Sequence, residues 1–66
     1  MKIMLNGREQ DIDADATVAD VLAASGLIGK RLAIEVNREI VPRSDYATRA
    51  LSAHDRIEVV HAIGGG

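Results

Sequence analysis

The sequence predicts an α+β fold: a mixed sheet of about five strands with one main helix packed on one face. Three observations lead to it. Residues 2–5, 33–36 and 56–60 alternate between two faces in the manner of half-buried strands. Asn6-Gly7 and Asn37-Arg38 follow two of those runs at positions suited to tight hairpins. One stretch, 18–25, changes to helical spacing behind a capping threonine. The resulting order is ββαβββ.

In the first strand, Lys2 to Leu5, Ile3 and Leu5 share one face and Met4 takes the other. Asn6-Gly7 is a strong short-range hairpin signal, because a type I′ turn needs positive φ at both central residues. The returning strand, about Glu9 to Ile12, is polar enough to lie at a sheet edge. Thr17 then caps the helix, and Asp20 completes a capping-box pattern. Val18, Val21, Leu22 and Ser25 follow helical spacing, and Gly26 stands where a C′ glycine belongs. The helix therefore runs from about Val18 to Ser25.

Ala33 to Val36 reads as a strand with Ile34 and Val36 inward, and Asn37-Arg38 turns it back into Glu39-Ile40-Val41. Pro42 ends that strand because it cannot donate to a ladder. Ser44 to Ala50 has room for a short helical turn, with Leu51 tucked under the sheet. Ser52-Ala53-His54-Asp55 forms a turn, in which histidine tolerates positive φ better than most residues. Arg56 to Val60 is the last strand.

Composition narrows the function. Sixty-six residues make one small domain with little room for a catalytic cleft and lid. Cysteine is absent, which excludes disulfides, thiolate metal sites and a cysteine nucleophile together. Stability must come from the 47% hydrophobic content, which is aliphatic, Tyr46 being the single aromatic residue. Eight Lys/Arg against ten Asp/Glu, with the cations scattered, argue against a nucleic-acid footprint. No stretch approaches the ~18 apolar residues of a membrane span. The polar Asn6-Gly7 also interrupts the opening too early for a secretory signal. The expectation is a soluble, cytoplasmic carrier or binding module.

Candidate chemistry in the side chains fails on spacing. Asp11, Asp13 and Asp15 begin like a calcium loop, but Ala16 and Leu22 occupy the positions that need glycine and a bidentate glutamate. His54 and His61 lack a third ligand, so no metal site is expected. The serines have no nucleophile-elbow sequence and no base placed for them.

The tail is different. Gly64-Gly65-Gly66 follows the last strand directly, and no helix comes after it to make a phosphate loop. Without Cβ atoms, such an arm can thread a narrow tunnel and leaves its terminal carbonyl open to attack. The sequence is thus divided into a domain at 1–61 and a flexible glycine tail at 62–66. Gly66 is the candidate working residue, with Gly64 and Gly65 threading it. If the helix covers the face carrying Ile3, Leu5, Ile34, Val36, Ile57 and Val59, then Met4 and Val60 point to the open face. Together with Ile63 in the tail, they are candidates for partner docking.

The ββαβββ order, the small size and the terminal glycines resemble the β-grasp, ubiquitin-like sulfur carriers. Val36-Asn37-Arg38-Glu39-Ile40-Val41-Pro42-Arg43 is similar to the Asn-x-x-Ile-Val-Pro-Arg stretch of the thiamine-biosynthesis family, ThiS. So are Leu5-Asn6-Gly7, Thr17-Val18-Ala19-Asp20-Val21-Leu22 and Ala62-Ile63-Gly64-Gly65-Gly66. Two departures stand out: His54-Asp55 replaces the usual Gly-Asp before the last strand, and Tyr46 alone matches the aromatic that follows Pro-Arg.

This resemblance implies a protein co-substrate and not an enzyme. An adenylating enzyme of the ThiF type would use ATP and Mg²⁺ to activate the Gly66 carboxylate, so no bound cofactor is expected on the carrier. A persulfide donor, such as a cysteine desulfurase, would supply sulfur to make a C-terminal thiocarboxylate. A thiazole synthase of the ThiG type would then take that sulfur. The molybdopterin-synthase small subunit shares this fold and tail, and a ubiquitin-like conjugation tag or interaction module is the alternative from another class.

Overall fold

The computed structural model describes residues 1–27 and 31–61. The chain forms strands β1 (Lys2–Leu5) and β2 (Arg8–Asp11), helix α1 (Val18–Ala24), strands β3 (Leu32–Val36) and β4 (Glu39–Val41), a 3₁₀ turn at Arg43–Asp45, and strand β5 (Arg56–His61). The five strands make one mixed sheet in the order β2-β1-β5-β3-β4. β1 and β5 are parallel, and the remaining pairings are antiparallel. The last strand is therefore central, and the polar β2 lies at an edge, as its sequence predicts.

Both hairpins turn as their sequences require. Asn6 and Gly7 have φ of 50° and 81°, and Asn37 and Arg38 have 52° and 69°. Asparagine visits the left-handed region at little cost, and glycine has no Cβ to oppose it. Arg38 has neither advantage, so the surrounding strands hold it there.

The seven-residue helix is too short to be stable alone. Its entry is fixed by the predicted capping box: Asp20 N–H donates to Thr17 Oγ1 at 3.3 Å, and Thr17 N–H donates to Asp20 Oδ2 at 2.9 Å. Ser25 ends the helix and Gly26 takes φ of +70°, the left-handed C′ conformation. Its buried stripe of Val18, Val21 and Leu22 packs against Ile3, Ile34, Val36, Val41, Leu51, Ile57 and Val59. Leu5 lies on that side too, half-buried against the cluster. Leu51 is buried beneath the sheet as expected. The stretch read as a possible helical turn at 44–50 forms its 3₁₀ turn slightly earlier, from Arg43. Among the described residues, no helix is long and apolar enough to cross a membrane.

Candidate functional site

The site begins with β5, the strand that leads toward the glycines. Its start and its far half are each held by a hairpin asparagine. Asn37 N–H donates to the Arg56 carbonyl at 2.8 Å, and Arg56 N–H donates to Asn37 Oδ1 at 3.0 Å. Asn37 Nδ2 also donates to Asp55 Oδ1 at 3.0 Å. On the other side, Asn6 N–H donates to the Ile57 carbonyl at 2.9 Å, and Val59 N–H donates to Asn6 Oδ1 at 2.8 Å. Each asparagine thus turns the backbone and keeps a ladder rung with its side chain. The turn before β5 is closed by Ser52 N–H donating to Asp55 Oδ2 at 2.8 Å, with His54 at φ of +69°.

One sheet face is filled by the core. The other carries Lys2, Met4, Glu9, Asp11, Ala33, Glu35, Ile40, Arg56, Glu58 and Val60 by strand alternation and register. Val60 is 51% exposed, as the strand reading expects. Met4 lies on the predicted face but is half-buried, which corrects the expectation that it faces solvent freely. Its register neighbours Glu9 and Arg56 flank it on both sides. Met4 instead helps to wall a shallow hollow of about 140 Å³, lined also by Gly7, Arg56, Ile57 and Glu58.

Sequence reasoning missed Ile40. It is 71% exposed, more than Val60, and stands beside Glu35 in the β3–β4 register. Its signal was an isoleucine in a strand too short to show a period. The open face thus mixes charged and apolar side chains, and across three of its strands Glu58, Glu35 and Ile40 are consecutive neighbours. Among the described residues the ion pairs fall elsewhere, on Lys2 with Glu9 at 3.6 Å and Asp11 at 3.8 Å. The other docking candidate, Ile63, and the glycines Gly64, Gly65 and Gly66 lie outside the described residues.

The family model for ThiS matches residues 3–66. The chain belongs to the ThiS family. It is 37% identical over 65 residues to the sulfur carrier protein ThiS of Bacillus subtilis, a match covering 97% of this chain and 98% of that protein. Two proteins named thiazole synthase are also similar: one from Paramagnetospirillum magneticum, 42% identical over 66 residues, and one from Magnetococcus marinus, 41% identical. This chain is covered completely in both matches but spans only 20% of each of those proteins. The crystal structure of the thiamine biosynthesis protein ThiS from Geobacter metallireducens superimposes with a TM-score of 0.86 at 23% identity, covering 100% of both chains. That likeness establishes the ThiS β-grasp fold, in which a five-stranded sheet holds one helix on its face.

Proposed function

We propose that this ThiS-family chain carries sulfur for thiazole formation in thiamine biosynthesis, on the carboxyl group of Gly66. The reading rests on one observation above the others: the ThiS family match continues through the glycines that follow the central strand β5. In this reading residues 1–61 are the docking body and 62–66 the arm. As a free terminus, Gly66 would be ionised at neutral pH, an α-carboxyl having a pKa near ~3.5. A carboxylate is a poor acyl donor, because oxide would have to leave.

Adenylation removes that obstacle. A carboxylate oxygen attacks the α-phosphorus of ATP, and pyrophosphate leaves to give an acyl-adenylate. The terminal sulfur of a protein persulfide attacks the activated carbonyl and expels AMP. A thiol then cleaves the resulting acyl disulfide, releasing the thiocarboxylate and oxidising the thiol to a disulfide. The adenylating enzyme holds the ATP and Mg²⁺. The chain has no cysteine, so none of its own side chains competes for sulfur.

The sulfur acceptor proposed is a thiazole synthase. Support comes from the two thiazole synthases of which a segment matches this whole chain. Carrying both activities on one polypeptide raises their effective concentration for each other. Where they are separate, the carrier's surface has to supply the affinity. The open face, with Met4, Val60 and Ile40, is the docking surface proposed, with Ile63 extending it into the arm.

ATP–pyrophosphate exchange with the cognate adenylating enzyme tests this. The full chain should support exchange, and deletion of Gly66 should abolish it while the melting curve stays unchanged. Normal exchange by the deletion variant would remove Gly66 from the reaction.

A further inference from the structure

We infer that the surface docking on the open face presents a basic side chain to the carboxylates of Glu35 and Glu58. The inference rests on the carrier reading above and names the chemistry of the partner its docking face meets. Glu35 on β3 and Glu58 on β5 are partners in the antiparallel register. Side chains directly opposed in this way have Cβ atoms about 4.5–5.5 Å apart. Two carboxylates at that spacing repel each other, and one cation set between them is attracted by both. Glu58 is exposed; Glu35 is half-buried, with Glu58 on one side of it and Ile40 on the other.

The rest of the face leaves that charge unanswered. Among the described residues its strands carry the carboxylates of Glu9, Asp11, Glu35 and Glu58 against the cations Lys2 and Arg56. Lys2 is engaged near the β2 edge, 3.6 Å from Glu9 and 3.8 Å from Asp11. Arg56 shares the face and the strand of Glu58, yet among the described residues no ion pair joins them. A second copy of this chain would bring the same excess of carboxylates, so charge disfavours self-docking. Apolar surface flanks the pair: Ile40 stands beside Glu35, and the exposed Ala33 and Val60 form the next opposed pair along the two strands. A partner that covers these apolar groups also takes water from the carboxylates. Without a cation that desolvation is costly; with one, the attraction strengthens as water leaves. The glutamates therefore admit a basic surface and reject a neutral or acidic one.

The test removes charge and keeps shape. The double variant Glu35→Gln, Glu58→Gln retains size and hydrogen-bonding capacity. Calorimetric titration with the thiazole synthase should show its affinity lowered by about 10-fold, and Glu58→Lys should lower it by about 100-fold. The urea midpoint of the glutamine variant should rise, because the like-charge pair is gone. Binding and stability thus move in opposite directions, which a merely structural role would not produce. The double variant Ile40→Ser, Val60→Ser reports on the apolar part of the face alone. Undiminished affinity in the glutamine variant, beside weakened binding in the serine variant, would overturn the inference and leave the docking face standing. Weakened binding with a lowered urea midpoint in the glutamine variant would trace the loss to the fold and overturn it too. Unchanged affinity in every variant, or no binding by the original chain, would overturn both the inference and the docking face.

Discussion

Glu35 on β3 and Glu58 on β5 stand directly opposite each other in the antiparallel register, on the open face of the sheet. Among the described residues neither is within ion-pair distance of a cation. Like charges in this arrangement destabilise a sheet, so the pair costs stability in the free protein. Glu58→Gln should therefore stabilise it by a few tenths of a kcal/mol, on the order of 0.5. The gain should shrink in 1 M salt, where the screening length is about 3 Å. Urea melts at low and high salt check both; a loss of stability would mean that Glu58 has an attractive partner.

His54 occupies the left-handed region at φ of +69°. A residue with a Cβ is strained there by roughly 1–2 kcal/mol, whereas glycine is not but loses more freedom on folding. His54→Gly should raise stability by about 0.5–1 kcal/mol, or Tm by about 2–8 °C for a domain of this size. Thermal denaturation followed by circular dichroism measures it.

The helix depends on Thr17. Its Oγ1 accepts from the Asp20 N–H at 3.3 Å, and Asp20 returns the bond to the Thr17 backbone. Thr17→Ala should cost about 1 kcal/mol. A helix this short has few other sources of local stability, so amide exchange across Val18–Ala24 should accelerate more than exchange in β3 and β5. Uniform acceleration throughout the domain would show that the helix has no separate opening.

The open face yields a prediction about partners. Val60→Glu and Ile40→Glu remove exposed apolar contacts and place an unpaired charge against whatever docks there. Each should weaken binding to the thiazole synthase by about 10-fold, equivalent to about 1.4 kcal/mol. Stability should change by no more than about 0.5 kcal/mol, since both side chains are exposed. Met4→Glu should differ by lowering stability as well, because Met4 is half-buried. Calorimetric titration beside denaturant melts separates the cases, and unchanged affinity in both exposed-site variants would place docking elsewhere.

Much of the fold was legible because its signals are local. Asn6-Gly7 needs positive φ wherever it pairs, and Thr17 and Asp20 cap the helix from three residues apart. The alternation in β1, β3 and β5 told the core face from the open one. Part of what could not be read depends on pairings distant in sequence. The Asn6 side chain acts as a rung for Val59, 53 residues away, once β5 lies parallel to β1. Met4 is half-buried through Glu9 and Arg56 on neighbouring strands, and Ile40 sits in a three-residue strand with no period to detect. The terminal glycines were legible in composition, and the role proposed for them rests on the carrier reading.

Intact mass spectrometry tests that role most directly. The protein would be incubated with its adenylating enzyme, ATP, Mg²⁺ and a persulfide-bearing cysteine desulfurase, and its mass measured with fragmentation of the C-terminal peptide. The account predicts a gain equal to sulfur minus oxygen, located on Gly66 and lost on addition of the thiazole synthase with its other substrates. An unchanged mass, or sulfur located on any residue other than Gly66, would contradict it.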